Sequence, residues 1–142
     1  MRAYLDASFL VSLYNPDANS TAAARIMQSS RCDHVVSTLC EIEFSNALEL
    51  RVFRKHALAA QAAASAVELD RDLRGGVFRL QPLTEQAFEK ARQLSRQHTA
   101  RLGTRTADVL HVAAALDLGA DYLYTFDEQQ RKLAKTVGLK LN

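Results

Sequence analysis

Apolar residues along this chain recur with two alternating periods. A short apolar run at Ala3-Tyr4-Leu5 reads as a buried strand, and Ser8 to Tyr14 reads as a short helix closed by Asn15-Pro16. Helical spacing around Ala22 to Gln28 precedes a second strand at His34-Val35-Val36-Ser37, and a long helical pattern then runs from about Thr38 to Lys55. The alanine-rich stretch Leu58 to Leu73 predicts another helix. Gly75-Gly76 breaks it before a third strand, Val77-Phe78-Arg79-Leu80, that stops at Pro82. Thr84 caps a helix with Ala87, Phe88, Ala91 and Leu94 on one face; Gly103 ends that region, Thr104 or Thr106 opens the next helix, and Gly119 closes it after Leu118. Tyr122-Leu123-Tyr124-Thr125-Phe126 reads as a fourth strand, followed by a short helix to about Val137 and an edge strand at Leu139-Lys140-Leu141.

Strands that alternate with helices throughout imply an α/β sandwich with a mainly parallel sheet of four or five strands. Ligands of such sheets bind beyond the carboxyl ends of the strands, near a switch in strand order. That rule singles out Asp6, after the first strand, and Asp127, after the fourth. No repeat, low-complexity tract or linker interrupts the pattern, so residues 1–142 are expected to form one domain, long enough to bury roughly two-thirds of its unfolded surface.

Four acidic residues stand where the pattern calls for something apolar: Asp6, Glu43, Asp108 and Asp127. An ionised carboxylate inside a domain is costly unless a cation or hydrogen-bond donors satisfy it, and a shared divalent metal would satisfy all four. In the third predicted helix, Leu39, Ile42, Ala47 and Leu50 form a stripe; at about 100° per residue Glu43 falls in its middle, while Glu41 points roughly 160° away. Glu43 lies one turn before Asn46 on the same face, and no lysine or arginine shares that stripe nearby to make an ordinary ion pair. Asp108 sits early in its helix, where a carboxylate also caps free amides, but it shares a face with Val112 and Ala115. Asp127 serves equally well as a helix N-cap, and Asp6 as a turn former in Asp6-Ala7-Ser8, with Ser8 capping the helix or holding a water. His111, three residues after Asp108, could orient it, although a helical histidine is more often structural.

Composition narrows the field only slightly. A formal charge of +2 is too mild to announce nucleic-acid binding by itself. Cys32 and Cys40 are too few for a four-ligand zinc site and lack a redox spacing, which suits two buried thiols in a reducing cytoplasm. Asp6 and the Asn15-Pro16-Asp17 turn interrupt the N-terminal apolar run, so neither a signal peptide nor a membrane span is expected. There is no glycine-rich phosphate loop and no serine or cysteine nucleophile in a recognisable setting.

Taken together, Leu5-Asp6-Ala7-Ser8, Glu43-Phe44-Ser45-Asn46-Ala47-Leu48, Asp108 to Ala115, and Gly119-Ala120-Asp121 leading to Thr125-Phe126-Asp127 resemble the PIN domain, in the arrangement of VapC-type toxins. The resemblance spans essentially the whole chain. It implies a three-layer α/β/α fold, a metal-dependent endoribonuclease, a homodimer, and a VapB-type antitoxin partner. Asp6, Glu43, Asp108 and Asp127 then match the family's acidic cluster, and Ser8 and Thr125 its supporting hydroxyls. The oxygen-rich set suits Mg²⁺ or Mn²⁺, with Asp6 and Asp108 foremost as direct ligands. The expected products, by resemblance, carry 5′-phosphate and 3′-hydroxyl ends. Because bare carboxylates repel RNA, Arg51, Arg54, Lys55, Arg101 and Arg105 are the candidates to hold its phosphates. Two other classes compete: a PIN-like module that binds RNA or protein without cutting, and a phosphoryl-accepting receiver or phosphatase. The last lacks its second acid, since Ser8 stands where Asp-x-Asp would place it.

Overall fold

The computed structural model describes all of residues 1–142. Five strands form one sheet, β1 (Arg2–Leu5), β2 (Asp33–Ser37), β3 (Arg79–Gln81), β4 (Tyr122–Tyr124) and β5 (Lys140–Leu141). Their order is β3-β2-β1-β4-β5, and every pairing is parallel. The helices are α1 (Ala7–Tyr14), α2 (Ser20–Ser29), α3 (Thr38–Phe53), α4 (Ala59–Arg74), α5 (Glu85–Leu94), α6 (Ala100–Leu102), α7 (Thr106–Asp117) and α8 (Glu128–Thr136). A π turn over Ser95–Thr99 joins α5 to α6. Helices α1 to α4 pack among themselves, as do α5, α7 and α8, which gives the expected three layers.

The centre of the sheet follows from its sequence. Ala3, Tyr4 and Leu5 are fully buried, as are Val35 and Val36, because a parallel strand covered on both faces has no side to leave polar. From β1 the chain runs outward through β2 to β3, then crosses back to β4 and continues to β5. The switch in direction lies between β1 and β4, whose register pairs Leu5 with Tyr124. A crevice opens there beyond the strand ends. Helix α7 reaches the sheet closely because Ala113, Ala114 and Ala115, all buried, keep its inner face thin.

Several elements depart from the sequence reading for local reasons. Helix α3 stops at Phe53, because Lys55 takes a left-handed backbone with φ of 59°. Strand β4 ends at Tyr124: the Thr125 amide leaves the ladder for the Asn142 side chain, and Phe126 donates its amide to Ser8. Phe88, expected on the buried face of α5, is 51% exposed, while Ala87, Ala91 and Leu94 are buried. The buried stripe of α3 is Cys40, Phe44 and Leu48; Ile42 and Leu50 face outward. Glu43 therefore sits at the flank of the core stripe, about 100° from its centre, and not in its middle.

Candidate active site

Beyond the β1 and β4 ends lies a cleft of about 600 Å³, and Asp6, Glu43, Asp108 and Asp127 all line it. Three of the four double as helix caps. Asp6 is the N-cap of α1, its Oδ1 accepting the Phe9 amide at 2.9 Å. Asp108 lies in the first turn of α7, and its Oδ2 accepts the Arg105 amide at 2.9 Å. Asp127 is the N-cap of α8, with Oδ1 accepting the Gln129 and Gln130 amides at 2.9 and 3.0 Å. The bland readings are thus true, and they also explain the placement. Capping carboxylates bring the N-termini of α1, α7 and α8 to one cleft, and the partial positive charge of those ends favours an anion there.

Asp6 is the most confined. It is fully buried, and its acceptors are filled by neutral donors alone: the Phe9 amide, the Ser8 hydroxyl at 2.8 and 2.9 Å to its two oxygens, and the Thr125 hydroxyl at 2.8 Å. Ser8 does not cap α1, as the sequence allowed; its hydroxyl holds Asp6. No lysine or arginine contacts Asp6. Burial pushes its carboxyl above the ordinary value, and the nearby charge of His111 with the bonds from Phe9, Ser8 and Thr125 pulls it partway back.

His111 is the residue whose role the sequence missed. It does not orient Asp108. It is fully buried, and its Nε2 pairs with the Glu43 carboxylate while Nδ1 lies 2.9 Å from the Tyr4 hydroxyl. Tyr4 in turn reaches Ser37 at 2.7 Å and Cys40 at 3.2 Å. Burial works against charging the ring. Its contacts with Cys40 and Glu43 and the charge of Asp6 outweigh that and push its pKa up to about 10, so the imidazolium persists at neutral pH. The search for a basic partner of Glu43 failed because it looked along α3, whereas the partner comes from α7.

Arg105 supplies the other cation. Its Nε lies 3.3 Å from Asp108 Oδ2 and its Nη2 3.3 Å from Asp127 Oδ2, so one guanidinium spans two carboxylates. The αL turn at Gly103, φ 70°, ends α6 and swings the chain so that Arg105 enters α7 beside them. Arg51 and Arg54 line the opposite part of the cleft. Arg51 is already engaged, 2.6 Å from Asp17 and 2.7 Å from the Asn15 side chain. Lys55 and Arg101, also candidates for RNA contact, do not line the cleft.

The donor chemistry is that of a hard divalent cation: carboxylate oxygens with hydroxyls behind them, and thiol and imidazole groups withheld from the cleft in the Tyr4–Cys40–His111 network. The four carboxylates share one cleft without three of them closing on a point that would hold an ion. Glu43 is turned onto His111, and Asp108 and Asp127 onto Arg105, so closing the group is a matter of side-chain rotation.

The family model described as PIN domain matches residues 3–136. Among solved structures, the chain is similar to VapC20 of Mycobacterium tuberculosis, a sarcin-ricin-loop-cleaving toxin, with TM-score 0.69 and 24% identity over 92% of this chain and 93% of that one. It is also similar to VapBC2 from Rickettsia felis, solved bound to a DNA fragment from its promoter, with TM-score 0.68 and 16% identity over 100% and 98%. FitAcB from Neisseria gonorrhoeae is a further structural relative, with TM-score 0.65 and 18% identity over 98% and 95%. At these identities the likeness is one of fold. No curated protein sequence matches the chain.

Proposed function

Because the chain belongs to the PIN-domain family, whose members are nucleases, we propose that it is a Mg²⁺- or Mn²⁺-dependent endoribonuclease and the toxin of a toxin–antitoxin pair. The observation that carries this reading is Asp6, a fully buried carboxylate with neutral partners only, opening onto a cleft lined by three more carboxylates. A buried, unpaired charge costs several kcal/mol and persists where a ligand later offsets it.

Asp6 and Asp108 are the direct metal ligands in this reading. Glu43, held by His111, and Asp127, held by the α8 amides, orient water and complete the shell, while Ser8 and Thr125 fix the Asp6 rotamer. A bound divalent ion supplies Lewis-acid polarisation of the phosphodiester and a more acidic water. The chain's own part is to hold geometry and charge. The helix N-termini and Arg105 face the phosphate oxygens, Glu43 stands where a proton leaves the attacking water, and the His111 charge keeps Glu43 in place. Water oxygen bonds to phosphorus as the bond from phosphorus to the 3′ oxygen breaks, leaving 5′-phosphate and 3′-hydroxyl ends.

A VapB-type antitoxin and a second copy of the chain are the proposed protein partners. Ile42, Phe53, Leu58 and Val67 leave large apolar groups exposed on α3 and α4 and at their junction, surface that a partner would cover. Unpaired Cys32 and Cys40 fit a cytoplasmic setting, and no helix is long and apolar enough to cross a membrane.

The test is cleavage of a mixed RNA pool with Mg²⁺ or Mn²⁺ and with EDTA, beside Asp6→Asn. Metal-dependent cutting that the variant loses supports the nuclease; cutting that survives EDTA and the substitution ends the reading. One observation favours a second reading, a module that binds without cutting: Arg105 already neutralises Asp108 and Asp127. RNA binding that persists in EDTA, with no cutting in any metal, would select it.

A further inference from the structure

Arg105 borders two cavities. On the far side of the acidic cleft, between α5 with its π turn and the start of α7, lies a second cavity of about 470 Å³. Its wall carries Arg92, Arg96 and Arg105, the hydroxyls of Thr99 and Thr104, and the ring of Phe88, with no acidic residue among its lining. In a chain of net charge +2, three guanidiniums around one cavity are a local concentration. Arg92 has only an exposed partner, Glu89 at 3.3 Å, and Arg96 enters no salt bridge.

The arrangement is written into one helix face. Phe88, Arg92, Arg96 and Thr99 follow one another at spacings of four, four and three residues along the helical run that starts at Glu85. The π turn falls within that run, a distortion found mostly at functional sites. The half-exposed Phe88 ring belongs to the same wall, and a phenyl ring beside arginines is the pairing that single-stranded nucleic acid uses, base on ring and phosphate on cation. An acidic peptide would use the arginines and leave the ring without a planar partner.

We propose that this second cavity is a nucleotide subsite for single-stranded RNA: a strand whose scissile phosphate lies in the acidic cleft passes over Arg105, sets its neighbouring phosphate on Arg92 and Arg96, and lays a base against Phe88. The proposal rests on the endoribonuclease reading and gives it a strand direction, from the carboxylates toward α5. Arg105 joins the two sites, contacting carboxylates on one side and bordering the phosphate cavity on the other.

Anisotropy of a fluorescein-labelled, mixed-sequence single-stranded RNA tests it, titrated over a range of salt in the Asp6→Asn background. Relative to that parent, Arg92→Ala with Arg96→Ala is expected to weaken binding about tenfold at 0.1 M salt. It should also flatten the log–log salt slope by about 1.4, at about 0.7 per lost phosphate contact in single strands. Phe88→Ala should weaken binding by about fivefold or more and leave the slope unchanged, since stacking releases no counterions. Arg71→Ala with Arg74→Ala on α4 is the matched control for loss of two charges elsewhere. A subsite double variant with the control's affinity and slope overturns the proposal. So does one that keeps both toward RNA and loses the antitoxin, which would assign the cavity to a protein. Wild-type cleavage of the same RNA in Mn²⁺ runs alongside: its absence strikes the nuclease reading, whereas cutting with an unchanged double-variant slope strikes the subsite alone.

Discussion

Asp6→Asn should stabilise the metal-free protein while abolishing its response to metal. Asparagine is as good an N-cap as aspartate and keeps the acceptor for the Phe9 amide, so α1 retains its start. What disappears is a carboxylate charge that is fully buried and bonded only by neutral donors. Desolvating such a charge costs several kcal/mol, and charge-assisted hydrogen bonds return about 1.5–3 kcal/mol each, so the two nearly cancel. Ser8 and Thr125 can both rotate to accept from the new amide, which leaves a net gain of about 1–2 kcal/mol. For a chain of this length that is a rise in Tm of roughly 3–8 °C. Wild-type protein in Mn²⁺ at about 100 times its Kd should gain about 2.7 kcal/mol, and the variant little. Thermal melts in EDTA and in Mn²⁺ therefore cross: the variant melts higher in EDTA and the wild type in metal. A variant that melts clearly below wild type in EDTA would refute the claim that the charge is under-compensated, and an equal Mn²⁺ shift in both proteins would remove Asp6 from the ligand set.

Other outcomes follow from the same contacts. His111→Gln, which releases Glu43, should lower RNA cleavage by about 10- to 100-fold with the circular dichroism spectrum unchanged; full activity would make the histidine purely structural. Arg105→Gln should bind Mn²⁺ up to about fivefold tighter, since an exposed ion pair is worth about 1 kcal/mol at most, and an electron paramagnetic resonance titration showing equal or weaker binding would count against it. Asp17→Asn should cost about 1–2 kcal/mol at pH 7 in urea unfolding, the scale of one partly screened charge-assisted bond. Burial raises the Asp17 carboxyl, but the bonds from Arg51, Ser12 and the Asn19 amide win and hold it below its ordinary 3.8. Its folded value lies below its unfolded one, so the wild-type advantage is present above pH 3.8 and vanishes as pH falls through the lower value. An advantage that persists at pH 2 would contradict that sign.

The strand and helix order was legible because the central strands are uninterrupted apolar runs and the helices end at Gly, Pro and Asn. Asp6 and Asp127 were placed by the rule for parallel sheets, and all four carboxylates do line one cleft. The reading failed where a helix is apolar on more than one side. Helix α3 carries Leu39, Ile42, Ala47 and Leu50 as well as Cys40, Phe44 and Leu48, and periodicity alone does not say which set packs inward. Phe88 was lost to the same ambiguity. The Glu43–His111 pair joins residues 68 apart in sequence, and the Arg105 bridge to Asp127 spans 22. Contacts between elements have no signature in local spacing, so they became visible only with the helices docked.

Asp6 and Asp127 each hold a helix end and present a carboxylate to the cleft. One consequence concerns descent. A single-base change in an aspartate codon gives asparagine, which caps a helix equally well. Within this architecture the fold and the charge can part company in one mutational step, leaving a protein that folds, keeps its outer surface and has lost an acid. Lineages of this kind can accumulate silent copies that still engage the same partners. In such copies the surviving asparagines would mark where the acids once stood.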